Sequence, residues 1–307
     1  MLFLYVATAV AAAYAVFIAA PAVVMYLAAF SPKKPAGADA LFSEDDRFRP
    51  YADLLRGALE KVRALPREEV SVRSEDGFEL GGTLIGTGRE RAVLFAHGYR
   101  SDAESNFALQ AERFASRGYA VLFIRQRAHP GSGGRRITLG LAESRDILAW
   151  TDFLKERGFK EAVVYGTSMG GAAAAYASPE LDPAFVRTLV IDCAFESPYA
   201  QMTSDCRKRR LPDALIMPPV RLIARVGLHA DLKTKTSDSL KKCRVPAFFL
   251  HGTSDGTVGF ERCLEGFAAC ASDKELLAVE GADHTLAFAA GGSAAADELF
   301  AFINRHL

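Results

Sequence analysis

Residues Val163 to Ala177 read VVYGTSMGGAAAAYA. An apolar, β-prone run ends in Gly-Thr-Ser-Met-Gly, and a run of small residues follows. A chain that enters a tight turn as a strand and leaves it as a helix holds a serine hydroxyl clear of the sheet. The helix then aims its free N–H groups and positive dipole end at the reacting centre. Gly166 and Gly170 leave room for neighbouring backbone, and Gly171 and the alanines let the helix approach the sheet. A glycine-rich turn with a passive serine does not account for this strand–turn–helix setting. Ser168 is therefore the expected nucleophile.

Working outward, short apolar runs alternate with helical periods. EEVSVRSEDGFELGGTLIG reads as a hairpin turning at Asp76-Gly77. RAVLFAHG, YAVLFIR, EAVVYG, RTLVIDCAF, PAFFLHG and KELLAVEG read as strands. SNFALQAERFASRG, LAESRDILAWTDFLKERG and a closing segment from Ala295 to Arg305 read as helices. This alternation predicts an α/β fold whose mostly parallel sheet is covered on both faces. Sites in such sheets form at the carboxyl ends of the strands.

A serine hydroxyl needs a base. Of the six histidines, His284 sits in Gly-Ala-Asp-His, between the last strand and the closing helix, where a general base belongs. His97 and His251 each end a strand and read as structural, while His129 lies in the QRAHPGSGG loop. Asp255, in the loop after PAFFL, is the expected partner of His284, with Asp192 at the end of LVID as the other candidate. Asp283 reads as a turn residue. An oxyanion needs two preset donors. The Met169 amide follows the nucleophile, and the Tyr99 amide lies in the loop after the first central strand. The Arg100 side chain suits contact with an anionic group or plain exposure.

The alternation breaks between Tyr199 and Lys242, which reads as a helical cap. Its apolar members, among them Leu215 and Met217, suit either the lining of an acyl pocket or packing on the sheet edge. The basic run Arg207–Arg210 suits a solvated face or anionic lipid headgroups.

The first thirty residues carry no charged side chain and exceed the roughly twenty needed to span a bilayer. No basic residue precedes the run, and it is longer than a secretory h-region of roughly 7–15 residues. Residues 1–30 are thus read as a retained anchor rather than a cleaved signal. Residues 31–66 read as a linker and an amphipathic helix, Phe48 to Leu65, and 67–307 as the catalytic domain with its cap at about 199–242. Lys33 and Lys34 after the span place that domain in the cytoplasm by the positive-inside tendency. Five scattered cysteines without a CxxC pair agree with a reducing compartment. The 307 residues balance 37 Lys and Arg against 37 Asp and Glu, so nothing electrostatic favours nucleic acid as a partner.

The motifs AHGYRSD, GTSMGG, HGTSDGTV and GADH together resemble the α/β-hydrolase superfamily from about Glu68 to the C-terminus. The nearer likeness is to signal-anchored bacterial serine hydrolases of the prolyl-oligopeptidase-like and acyltransferase-like branch. The resemblance implies an α/β-hydrolase fold, a Ser168–Asp255–His284 triad in the family's nucleophile–acid–base order, and Tyr99 and Met169 amides as oxyanion hole. Arg125 and Arg127 stand where many relatives carry an acid. The expected reaction is hydrolysis of esters or thioesters of an acyl, lipid-like substrate. Peptide cleavage and acyl transfer use the same residues. A non-catalytic binding protein would have no use for all three. No motif calls for a metal or an organic cofactor.

Overall fold

The computed structural model describes residues 1–35 and 37–307; Ala36, inside the stretch read as a linker, lies outside the described residues. The chain opens with one apolar rod, Leu2–Phe30, long and apolar enough to cross a membrane. It comprises α1 (Leu2–Tyr14), a π-helical turn (Ala15–Ala19) and α2 (Ala20–Phe30). Pro21 lies two residues past the π turn, at the start of α2. Its ring would clash with the carbonyl four residues back in a regular helix, and the widened turn relieves that conflict.

Two short helices follow, α3 (Ala38–Glu44) and α4 (Ala52–Arg63). The stretch from Phe48 to Leu65 thus contains the expected amphipathic helix. Its buried face, Leu55, Leu59 and Val62, rests on the domain against α5 (Ala103–Ser116).

The sheet has eight strands: β1 (Arg67–Arg73), β2 (Glu79–Ile85), β3 (Arg91–Ala96), β4 (Ala120–Ile124), β5 (Glu161–Thr167), β6 (Val186–Asp192), β7 (Ala247–Gly252) and β8 (Lys274–Val279). Their order is β1-β2-β4-β3-β5-β6-β7-β8. β1 and β2 form the expected hairpin, β2 runs antiparallel to β4, and the remaining pairs are parallel. The central strands are apolar throughout because both faces are covered. On one face lie α6 (Glu143–Glu156), α7 (Met169–Ala177), α11 (Phe260–Ala269) and the docked part of α2; on the other lie α3, α4, α5 and α12 (Ala287–Arg305).

The closing helix begins at Ala287 rather than Ala295. Gly292, at φ +58° and ψ −134°, leaves helical geometry and divides it into two pieces, the second of which holds the expected segment from Ala295 to Arg305. The region between Tyr199 and Lys242 holds α8 (Pro198–Lys208), α9 (Asp213–Gly227) and α10 (Thr236–Leu240). α9 packs against both α8 and α2.

Candidate active site

The topology carries five loops to one edge of the sheet. They follow the carboxyl ends of β3, β5, β6, β7 and β8, where doubly covered parallel sheets form their sites. Ser168 sits between β5 and α7 with φ +54° and ψ −115°, a strained conformation for a residue with a Cβ. Neighbouring backbone holds it there. The Ser168 amide donates to the Asp192 carbonyl at 2.8 Å, and the Ser168 carbonyl accepts from the Ala172 amide at 2.9 Å. The flanking glycines are sterically required. A Cβ on Gly166 would come within 2.2 Å of the Gly170 carbonyl oxygen, and one on Gly170 within 1.9 Å of that of Ala96.

His284 and Asp255 arrive from the loops after β8 and β7. His284 Nε2 lies 2.9 Å from Ser168 Oγ, and His284 Nδ1 lies 2.7 Å from Asp255 Oδ2. The Asp255 side chain is wholly buried. Its other oxygen accepts from the Thr257 and Val258 amides, both at 2.8 Å. His251, also wholly buried, lies with Nε2 3.2 Å from Asp255 Oδ2 and 3.0 Å from the Val258 carbonyl. Burial alone would push the Asp255 carboxyl up. Hydrogen bonds to His251 and His284 outweigh it and hold the group well below the ordinary range.

The other candidate acid, Asp192, makes no hydrogen bond to His284 among the described residues. Its Oδ2 accepts from the Tyr165 hydroxyl at 3.3 Å, and burial pushes its carboxyl up to about 6. Asp283 Oδ1 accepts from the Gly256 and His284 amides, tying together the two loops that carry the acid and the base.

Among the described residues, neither the Tyr99 nor the Met169 amide has a hydrogen-bond acceptor. Both belong to loops that meet at Ser168: a Cβ built on Gly98 would lie 3.5 Å from Ser168 Cβ. Two histidines brace the Tyr99 loop. His129 Nε2 accepts from the Arg100 amide at 3.2 Å while Nδ1 donates to the Arg127 carbonyl. His97 Nε2 accepts from the Gln126 amide, and its Nδ1 donates to the Gly98 carbonyl. Each ring is used once as donor and once as acceptor, as a neutral imidazole requires. Burial pushes His97 down to about 3 and lowers His129 as well.

Sequence reasoning passed over His251. Its signal was the spacing in HGTSD, which sets a histidine at a strand end four residues before the carboxylate. Arg125 and Arg127 are tied up away from the reacting centre. Arg127 forks onto Asp146 at 2.6 and 2.7 Å and reaches Asp76, while Arg125 pairs with Glu69.

Of the expected pocket residues, Arg100 lines a cavity of about 580 Å³ between α2, α8 and α9, together with Tyr99, Val24, Met25, Leu211 and Ile216. Leu215 and Met217 are not on its wall. Successive helical residues turn by about 100°, so when Ile216 faces the cavity, Met217 is buried in the core and Leu215 is exposed.

Cys193, Asp255 and His284 bring possible ligand atoms within 4.8 Å of one another. Asp255 and His284 are engaged with each other. Burial, and then the charge of Asp192, pushes the Cys193 thiol far up, so the thiolate a metal needs is disfavoured.

With this geometry in place, residues 93–301 match the model of the alpha/beta hydrolase family. The chain belongs to that family. No curated protein matches it. Among solved structures, this alpha/beta hydrolase is similar to the Pyrococcus furiosus esterase Pf2001, with 22% identity and TM-score 0.65 over 80% of this chain and 95% of that one. It is also similar to an esterase from Exiguobacterium antarcticum, with 18% identity and TM-score 0.58 over 76% and 99% of the two chains. A third is Est1E from Butyrivibrio proteoclasticus bound to ferulic acid, with 17% identity and TM-score 0.60 over 77% and 98%. At these identities the likeness concerns the fold.

Proposed function

We propose that this alpha/beta hydrolase is a membrane-anchored serine esterase that cleaves carboxylic esters of acyl, lipid-like substrates through an acyl-enzyme. The observation that carries the reading is the continuous line from buried Asp255 through His284 to Ser168 Oγ, with steps of 2.7 and 2.9 Å. His284 Nε2 accepts the hydroxyl proton as Ser168 Oγ attacks the acyl carbon. Asp255 holds Nδ1–H and offsets the imidazolium charge. The Tyr99 and Met169 amides face the developing oxyanion. As the intermediate collapses, the ester C–O bond breaks and the alcohol leaves with the proton from His284. Water, deprotonated by His284, then attacks the acyl-serine. The carboxylic acid is released and the Ser168 hydroxyl is restored.

The esterases of similar fold favour an ester over a peptide as substrate. The rod at the N-terminus supports a single-pass anchor of the signal-anchored type, with the catalytic domain on the cytoplasmic side. The purified full chain should hydrolyse p-nitrophenyl butyrate. Ser168→Ala should lower kcat by at least about 10³-fold; a variant that keeps the wild-type rate would remove Ser168 from the chemistry.

A further inference from the structure

The apolar rod divides into two parts. No residue before Ala22 is buried, and beyond it Ala22, Tyr26 and Phe30 are buried at intervals of four, on one helical face. The wholly exposed part, residues 1–17, amounts to about 25 Å at 1.5 Å per residue, close to the thickness of a bilayer's hydrocarbon core. From Ile18 the chain is partly covered, and the π turn already meets α9. Fully burying side chains such as Tyr26 and Phe30 contributes roughly 1.5–3 kcal/mol each.

The end of α2 is fastened to the loop that presents the Tyr99 amide. The last carbonyls of a helix have no intrahelical partner. Here the Arg100 guanidinium donates to the Ala28 and Ser31 carbonyls, the Tyr99 hydroxyl to Ala29 at 2.7 Å, and the Ile137 amide to Phe30 at 2.9 Å. Tyr26 lies against α9 at Gly227, where a Cβ would come within 2.7 Å of its hydroxyl oxygen.

The cavity of about 580 Å³ lies between this docked part and the cap. Its wall is mainly apolar and includes Tyr99 and Arg100 from the loop after β3, with Asp205 and Arg209 as further charged members. Val24 on its wall is exposed, and outside it Leu27 on α2 and Leu215, Leu222 and Val226 on α9 leave further apolar side chains exposed. The last three recur at helical spacing, so they form one outward stripe. Exposed apolar surface that continues from a membrane-length helix to a cavity mouth suits a lipid environment.

We infer that α2 is a fixed wall of the acyl pocket, and that the pocket takes the aliphatic chain of a lipid ester directly from the bilayer in which α1 is embedded. The inference rests on the serine-hydrolase reading. The chain of a medium- or long-chain ester lies along Val24, Met25 and Ala28, which brings its carbonyl to the Tyr99 amide.

The test uses the full chain in nanodiscs and p-nitrophenyl esters from butyrate to palmitate, the long ones carried in the same discs. Ala28→Trp fills the cavity from the α2 side. It should lower kcat/KM for palmitate at least about tenfold more than for butyrate. Ile216→Ala, which widens the opposite wall, should shift the preferred chain length upward. Val23→Trp, on the same helix but off the cavity wall, should leave the profile as in wild type. A small fluorophosphonate that labels Ser168 in every variant shows that the catalytic groups are folded. If labelling persists and Ala28→Trp and Ile216→Ala both keep the wild-type profile, α2 is not the pocket wall. If neither probe nor ester reacts with the wild type, the hydrolase reading falls, and this inference with it.

Discussion

In the proposed triad, Asp255 receives more contacts than a bare carboxylate needs. His284, His251 and two backbone amides surround one buried carboxylate, so its charge and orientation are fixed before a substrate arrives. On the proposed mechanism, His251 is a positioning residue acting through Asp255. His251→Phe removes a hydrogen bond to a charged group, an interaction of about 1.5–3 kcal/mol. It should reduce kcat roughly tenfold or more with KM little changed, and His251→Gln should recover part of the loss. Equal kcat in His251→Phe and wild type would assign His251 to packing alone. The two neutral histidines under the Tyr99 loop predict an acid-side loss of stability. His97 falls from 6.5 to about 3 on folding, so below pH 6.5 the unfolded chain binds a proton that the folded chain does not. Its contribution is complete above that pH and is lost progressively as pH falls toward 3. The depressed carboxyl of Asp255 adds to the same loss at still lower pH, since it must be protonated as pH falls below the ordinary carboxylate range. Thermal melts should show the decline, and His97→Gln, which cannot take up the proton, should flatten it between pH 6.5 and 4. The juxtaposition of Ser168, Asp255 and His284 was legible because each lies in a chemically marked loop that follows a strand. His251 and His129 were not, because a histidine's partner depends on which loops the sheet order brings together.

At the scale of elements, the strand–turn–helix around Ser168 follows from its small residues, and those residues cannot be enlarged. Gly170→Ala places a Cβ into the Ala96 carbonyl. It should cost at least about 3 kcal/mol and lower Tm by roughly 10 °C. Gly57→Ala is the contrast. Gly57 lies inside α4 with nothing within 4 Å of a Cβ, so the change should raise stability by about 0.5–1 kcal/mol. Denaturant titration of both variants checks the pair. The strands were readable because a doubly covered sheet leaves uninterrupted apolar runs. The cap was readable as helical, but its facing was not: Leu215, Ile216 and Met217 are alike in hydropathy, and only the position of α2 decides which of them meets the cavity. The piece of α12 before Gly292 was not read as helical, although Phe288 in it and Leu299 beyond it both join the core on this face of the sheet.

Across the whole molecule, the α/β fold was legible from its alternation, whereas the docking of the rod was not. An apolar run reads the same whether lipid or protein covers it, so hydropathy could show the length of Leu2–Phe30 but not that Tyr26 and Phe30 belong to the core. That docking bears on the proposed anchor. Cleavage after the apolar run would remove core side chains and uncap the Tyr99 loop. The protein recovered from membranes should therefore carry residues 1–30 by intact mass and resist carbonate extraction, and a chain that starts beyond residue 30 would contradict a retained anchor. The most direct test of the central claim is the site of covalent labelling. After reaction of the full chain with a fluorophosphonate and proteolysis, mass spectrometry should find the adduct on Ser168, and His284→Ala should suppress it. An adduct on another serine, or equal labelling of Ser168→Ala, would contradict the account.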